Sequence, residues 1–214
     1  MTPEAKARSR IDARLALAGW AVQDMRQLDL GAAQGVAVRE YPTDSGPADY
    51  LLFIGRHPVG VIEAKRDEAG EHITAVESQT VRYAVANLKW RTAGSPLPFL
   101  FEATGELIRF TDNRDPAPRS RELFHFFQPA QLKAWLEQSD TLRARLRSNM
   151  PALPTENLRD CQISAVSGLE QSLAHNHPRA LIHMATGAGK TFTAITAAYR
   201  LLKFGGARRI PFLV

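Results

Sequence analysis

With a single cysteine, Cys161, in 214 residues, the chain can hold no internal disulfide framework, and a reducing compartment is its expected setting. Cys161 falls in a helical pattern and is expected to pack rather than to act as a nucleophile. No run reaches the roughly 18 apolar residues a membrane span needs. The opening MTPEAKARSRIDARL is interspersed with charges and has no uninterrupted apolar core, so it does not read as an export signal. Internal repeats and low-complexity tracts are missing too. His57 and His72 have no second histidine at metal-ligand spacing and read as loop residues. These absences predict a soluble, cytoplasmic protein with no membrane partner. The 44% hydrophobic content is ordinary for a globular chain, and the length suits one compact domain plus part of another. A formal charge of +5 favours an anionic partner, with nucleic acid first.

Ala7, Ile11, Leu15 and Ala18 recur at helical spacing over residues 4–18, and Gly19-Trp20 ends that run. Residues 35–41 read as a short strand. Residues 48–54 and 58–65 are apolar runs of strand length joined through Gly55-Arg56-His57, a hairpin pattern. A helix is predicted over 73–90, strands over 97–102 and 106–110, loop over 116–121, and a helix over 129–137. Helices alternating with a few strands predict an α/β fold, a mixed sheet with helices packed on it. Near Asp140 the composition shifts. Arg143, Arg145 and Arg147 alternate and share no helix face, so they are expected to be solvated rather than to line phosphates. Pro151 and Pro154 follow. The expected division is 1–140 as one domain, 141–155 as linker and 156–214 as the front of another. In that last part a helix (158–174), an apolar strand (179–184), a glycine-rich turn and a second helix (191–203) are predicted.

Strand, ATGAGKT at 185–191, then helix is the context of a nucleotide-phosphate loop. Thr186, Gly187, Ala188 and Gly189 would turn backbone amides toward phosphate oxygens at the positive end of a helix. Lys190 would reach the β/γ-phosphates of ATP, and Thr191 would ligate Mg²⁺. Met184 stands where the strict pattern has glycine, a relaxation common in helicase-type motors. Upstream, LRDCQ resembles the glutamine motif of superfamily 2 helicases, which implies that Gln162 pairs with the adenine edge. Hydrolysis also calls for an acidic metal-binding strand and an arginine finger, and neither is in these residues, so the ATP-binding segment reads as incomplete.

In the first half, Asp49 lies on one apolar strand run and Glu63 and Lys65 on the next. Glu63 and Lys65 are two apart and share a face; pairing of the strands would bring Asp49 to them. Two carboxylates at a sheet edge make a hard oxygen site for Mg²⁺, with the Ala64 carbonyl a further ligand. A neighbouring ammonium can orient or help deprotonate a water that attacks phosphorus.

Pro47-Ala48-Asp49 followed by Glu63-Ala64-Lys65 resembles the PD-(D/E)xK nuclease motif, and Gln79 with Tyr83 resembles the QxxxY extension of RecB-type members. That resemblance implies a restriction-endonuclease-like fold, with Asp49 and Glu63 on the metal and Lys65 on the water. Gln79 and Tyr83 would support Lys65 or the substrate phosphate. It also implies a contribution from a first-helix glutamate, for which Glu4 is the candidate and Asp12 its competitor. A RecB-type nuclease followed directly by a superfamily 2 motor resembles the N-terminal part of a type I restriction enzyme motor subunit. The resemblance runs through RIDARLALAGW, PADYLLF, VIEAKR, QTVRYA, LRDCQISAV and MATGAGKT. The family implies ATP-driven translocation on double-stranded DNA, cleavage away from the recognition site, and assembly with methyltransferase and specificity subunits. Other readings are a nuclease–helicase of DNA repair, a type III restriction enzyme, a catalytically silent DNA-binding or docking module, and an ATP-only switch. Nuclease before motor is the reverse of the type III order.

Overall fold

The computed structural model describes residues 3–43, 46–65, 96–177 and 179–213. The chain divides into two compact units, Met1–Asn113 with Pro118–Gln138, and Arg114–Ala117 with Ser139–Val214.

The first unit opens with α1 (Pro3–Leu17), whose Ala7, Ile11 and Leu15 are buried as the spacing predicts. Gly19, at φ +86°, lets the helix end: the Trp20 amide returns to the Leu15 carbonyl at 3.0 Å. The Trp20 indole then donates to Phe127 O at 2.9 Å, tying the helix exit to the far end of the unit. Seven strands follow in one sheet whose spatial order is the chain order: β1 (Ala21–Asp24), β2 (Gly35–Tyr41), β3 (Ala48–Ile54), β4 (His57–Ala64), β5 (Phe99–Ala103), β6 (Ile108–Asp112) and β7 (Arg121–Leu123). The β1/β2 and β4/β5 pairs are parallel and the others antiparallel, a mixed sheet as the sequence indicates. A helix, α2 (Pro129–Leu136), completes the unit.

One apolar cluster joins Ile11 and Leu15 of α1 and Leu132 of α2 to Tyr50, Leu52, Phe101 and Phe110 on the sheet. Val38, Leu51, Phe53, Val61 and Leu100 form a second. With apolar residues on both faces, β3 and β4 are continuous rather than alternating runs, which is why their extents were readable. The β4/β5 contact admits no side chain at Gly60, where a Cβ would lie 2.6 Å from Phe99 O. Gly60→Ala is expected to cost about 1–3 kcal/mol through strand displacement, measured by urea unfolding followed by tryptophan fluorescence.

The second unit packs α3 (Leu142–Ser148), α4 (Asp160–Ala174) and α5 (Lys190–Lys203). Arg200 of α5, 3% exposed, pairs with Glu170 of α4 at 2.6 Å and donates to Pro151 O at 2.7 Å, pinning the proline-flanked segment to the helix pair.

Several expectations are corrected. The apolar run 179–184 forms no strand: it has no ladder partner among the described residues, and Leu181 is 95% exposed. Residues 142–148 are a helix of their own. Their arginines are engaged as well as partly solvated: Arg143 pairs with Asp115 at 2.9 Å, Arg145 Nε donates to Gly205 O, and Arg147, although exposed as expected, donates through Nε to Ala174 O. Cys161 does not pack; it is exposed in the first turn of α4. His57 belongs to β4, and Arg121 starts β7 instead of ending a loop. β1 and β7 were not foreseen. The helix predicted at 73–90, with Gln79 and Tyr83, and His72 lie outside the described residues.

Candidate active site and phosphate loop

The first unit's candidate site sits at one end of the β3/β4 hairpin. The ladder pairs Tyr50 with Ile62, so one step further sets Asp49 across from Glu63. The Asp49 carboxylate is fixed from that strand, its Oδ2 accepting the Ala64 amide at 2.9 Å. Lys65 Nζ donates to Glu63 Oε1 at 3.0 Å, the two side chains 13% and 11% exposed. Asp49, Glu63, Ala64 and Lys65 are thus brought together.

Glu63 Oε2 is buried and has no hydrogen-bond partner among the described residues. A dry, unpartnered carboxylate oxygen is costly unless something occupies it. Beside a second carboxylate it is a hard-oxygen donor suited to Mg²⁺ or Mn²⁺, and the residues present fit such an ion. Burial, first, and then the negative charges of Asp49 and Glu102 raise the Glu63 pKa above its ordinary 4.5, against the hydrogen bond and charge of Lys65.

Two residues escaped the sequence reading. Glu102 of β5 is 6% exposed and stands directly beside Glu63 in the parallel ladder. Arg8 of α1 bridges Asp49 Oδ1 at 2.9 Å and Glu40 Oε1 at 2.7 Å. Two carboxylates outweigh partial burial and raise the Arg8 pKa. In the sequence Arg8 was one charge on a charged helix, and Glu102 one polar residue in an apolar run; no short-range pattern connects either to Asp49 or Glu63. Asp12 does not join the group. Its oxygens accept Arg39 at 2.9 Å and the Tyr50 hydroxyl at 2.9 Å. Burial and then the Asp12 charge raise the Tyr50 pKa, keeping that hydroxyl a donor. Glu4 is on α1, with its side chain outside the described residues.

In the second unit, Gly187 (φ +78°) and Gly189 (φ +85°) adopt the left-handed backbone the turn needs, and Gly189 caps α5. Lys190 Nζ is folded back onto Ala185 O at 3.2 Å. Thr186, Lys190 and Thr191 are exposed, so the helix N-terminus is open to an anion. Gln162 is 5% exposed. Its Nε2 donates to Ala188 O and its Oε1 accepts the Arg159 amide, while Arg159 Nη1 donates to Gly187 O at 2.9 Å. Both residues therefore brace the loop backbone, and a Cβ on Gly189 would collide with Gln162 Nε2.

A family model described as "Type I restriction enzyme EcoKI endonuclease subunit second domain" matches residues 31–136, and "Type III restriction enzyme, res subunit" matches 155–214. The chain is 28% identical to the type I restriction enzyme EcoKI endonuclease subunit of Escherichia coli K12, over 99% of its own length and 22% of that protein's. It is 27% identical to the EcoAI endonuclease subunit of Escherichia coli, over 73% of this chain and 19% of that one. A solved fragment of an HsdR subunit of a type I restriction enzyme from Vibrio vulnificus YJ016 aligns with 94% of this chain and 38% of that one, at 22% identity and a TM-score of 0.44. The fold is a mixed α/β sheet followed by a helicase-like segment. The chain is thus similar to type I restriction enzyme endonuclease subunits along nearly its whole length. It spans about a fifth of the length of the curated relatives it matches. No helix among the described residues is long and apolar enough to cross a membrane.

Proposed function

We propose that residues 1–140 form the DNA endonuclease domain of a type I restriction subunit, hydrolysing phosphodiester bonds with a divalent cation. Residues 156–214 open its ATP-dependent motor, with 141–155 as the linker. The observation that carries the nuclease reading is the trio at the end of the hairpin: Asp49 and Glu63 face each other across the ladder, Lys65 is beside them, and Glu63 Oε2 lacks a partner among the described residues. Asp49, Glu63 and the Ala64 carbonyl would hold Mg²⁺, joined by Glu4. The ion would supply charge stabilisation for the attacked phosphate. Lys65 would hold the attacking water and steady its proton, supported by Gln79 and Tyr83. Thr186 to Thr191 would cradle the ATP phosphates; Gln162 would reach the adenine edge only by giving up its bonds to Ala188 O and the Arg159 amide. Double-stranded DNA is the substrate, methyltransferase and specificity subunits the partners, and the cytoplasm the compartment.

Calorimetric titration of Mn²⁺ into the chain and into Asp49→Ala tests the site without requiring a motor. Saturable binding that disappears with Asp49 is the expected result; no binding by the wild type would make the trio a salt bridge and the domain a silent module. The pH dependence adds a check. Proton and cation compete for Glu63, so affinity is greatest above its raised pKa and falls as pH drops through it. That fall is expected to begin above 4.5, the ordinary glutamate value. A profile flat down to 4.5 would take Glu63 out of the site.

A further inference from the structure

The α1 residue that touches the candidate centre is a cation, Arg8. Its guanidinium divides between two carboxylates, Nη2 on Asp49 Oδ1 at 2.9 Å and Nη1 on Glu40 Oε1 at 2.7 Å. The other Asp49 oxygen already accepts the Ala64 amide, so Oδ1 is the oxygen at which the guanidinium and a cation would compete. Glu40 is held for this contact in a backbone that side chains rarely adopt, at φ +47° on β2. Its side chain is 66% exposed, against 19% for Asp49. The guanidinium thus has one partner in solvent and one in the site.

We propose that Arg8 is a built-in competitor of the divalent cation, occupying Asp49 Oδ1 until an ion displaces it and then remaining on Glu40. This rests on the metal-site reading given above. A guanidinium and a divalent ion on the same carboxylate repel each other, so the ion weakens the hold of Arg8 on Asp49, and Glu40 lowers the cost of leaving by keeping half of the ion pair intact. A plain structural strut would act in the opposite sense: holding Asp49 in place for the ion, it would strengthen binding.

The test is Mn²⁺ titration by calorimetry into the chain, Arg8→Gln, Glu40→Gln and Asp49→Ala, with circular dichroism confirming the fold. Arg8→Gln is expected to bind Mn²⁺ about three- to tenfold more tightly, the equivalent of one partly exposed ion pair and its desolvation. Glu40→Gln changes only an exposed carboxylate and serves where Arg8→Gln fails to fold. It leaves Asp49 as the carboxylate of that bridge and is expected to weaken binding severalfold. Weaker or unchanged binding by Arg8→Gln, or tighter or unchanged binding by Glu40→Gln, would overturn the proposal. Wild-type affinity in Asp49→Ala would instead overturn the metal-site reading on which it rests.

Discussion

Lys65→Ala is expected to bring Mn²⁺-dependent nicking of supercoiled plasmid at least about a thousandfold below wild type, on the reckoning that several kcal/mol of transition-state stabilisation are lost at roughly 1.4 kcal/mol per decade. The ammonium does two jobs at 3.0 Å from Glu63 Oε1. On the proposed mechanism it would offer the donor that positions a water, and it offsets the burial that pushes the Glu63 carboxyl toward its protonated form. Alanine removes both, leaving a carboxyl that titrates higher and binds a cation less well at the same pH. Lys65→Arg keeps the charge but not the compact point donor, and is expected to recover cation binding before it recovers nicking. Asp49→Ala is expected to lose both together. Nicking by Lys65→Ala at the wild-type rate would move the reaction centre away from these strands.

Phe110→Ala is expected to cost the first unit roughly 3–5 kcal/mol, a large share of the ~5–15 kcal/mol that holds a typical domain. The ring is 1% exposed. Phe101 stands 4.9 Å from it, Phe127 5.0 Å, and Phe99 and Trp135 6.0 Å each, while the Arg121 guanidinium lies 5.2 Å from its centroid. Truncation empties the middle of this group, and rings held by β5, α2 and the segment before α2 cannot close in without moving backbone. Tryptophan fluorescence reports the loss cleanly, since Trp20 and Trp135 belong to the first unit and the second has no tryptophan. A urea midpoint within error of wild type would mean that the cluster relaxes far more freely than its packing suggests.

What could be read in advance follows the range of the interactions. The α1 face, the hairpin of β3 and β4, and the glycine turn before α5 depend on residues a few positions apart, and their periodicity or spacing is visible in the chain. That the strands of Asp49 and Glu63 pair was legible from the hairpin pattern, but their register was not: a shift at Leu52/Phe53 moves Asp49 from opposite Ile62 to opposite Glu63. Glu102 was not, because its neighbour across a parallel ladder, Glu63, is separated from it by the whole of 65–98. β1 escaped for a different reason: AVQD is four residues with two polar ones, and only β2 beside it makes it a strand. The run 179–184 erred in the opposite direction, apolar enough for a strand but without a neighbour to complete its hydrogen bonds. Arg143, Arg145 and Arg147 read as solvent-facing because a carbonyl at a helix end leaves no trace in composition.

The sheet whose spatial order is its chain order also has a kinetic meaning. Antiparallel neighbours β2 to β4 and β5 to β7 close over short separations, so each group can form early and locally. Only β4 against β5 pairs strands separated by the stretch 65–98, the longest sequence separation between neighbours in the sheet. The same step aligns Glu63 with Glu102. On the proposed reading, a chain that has not completed the β4/β5 pairing would lack the acidic face at which a cation is to be held.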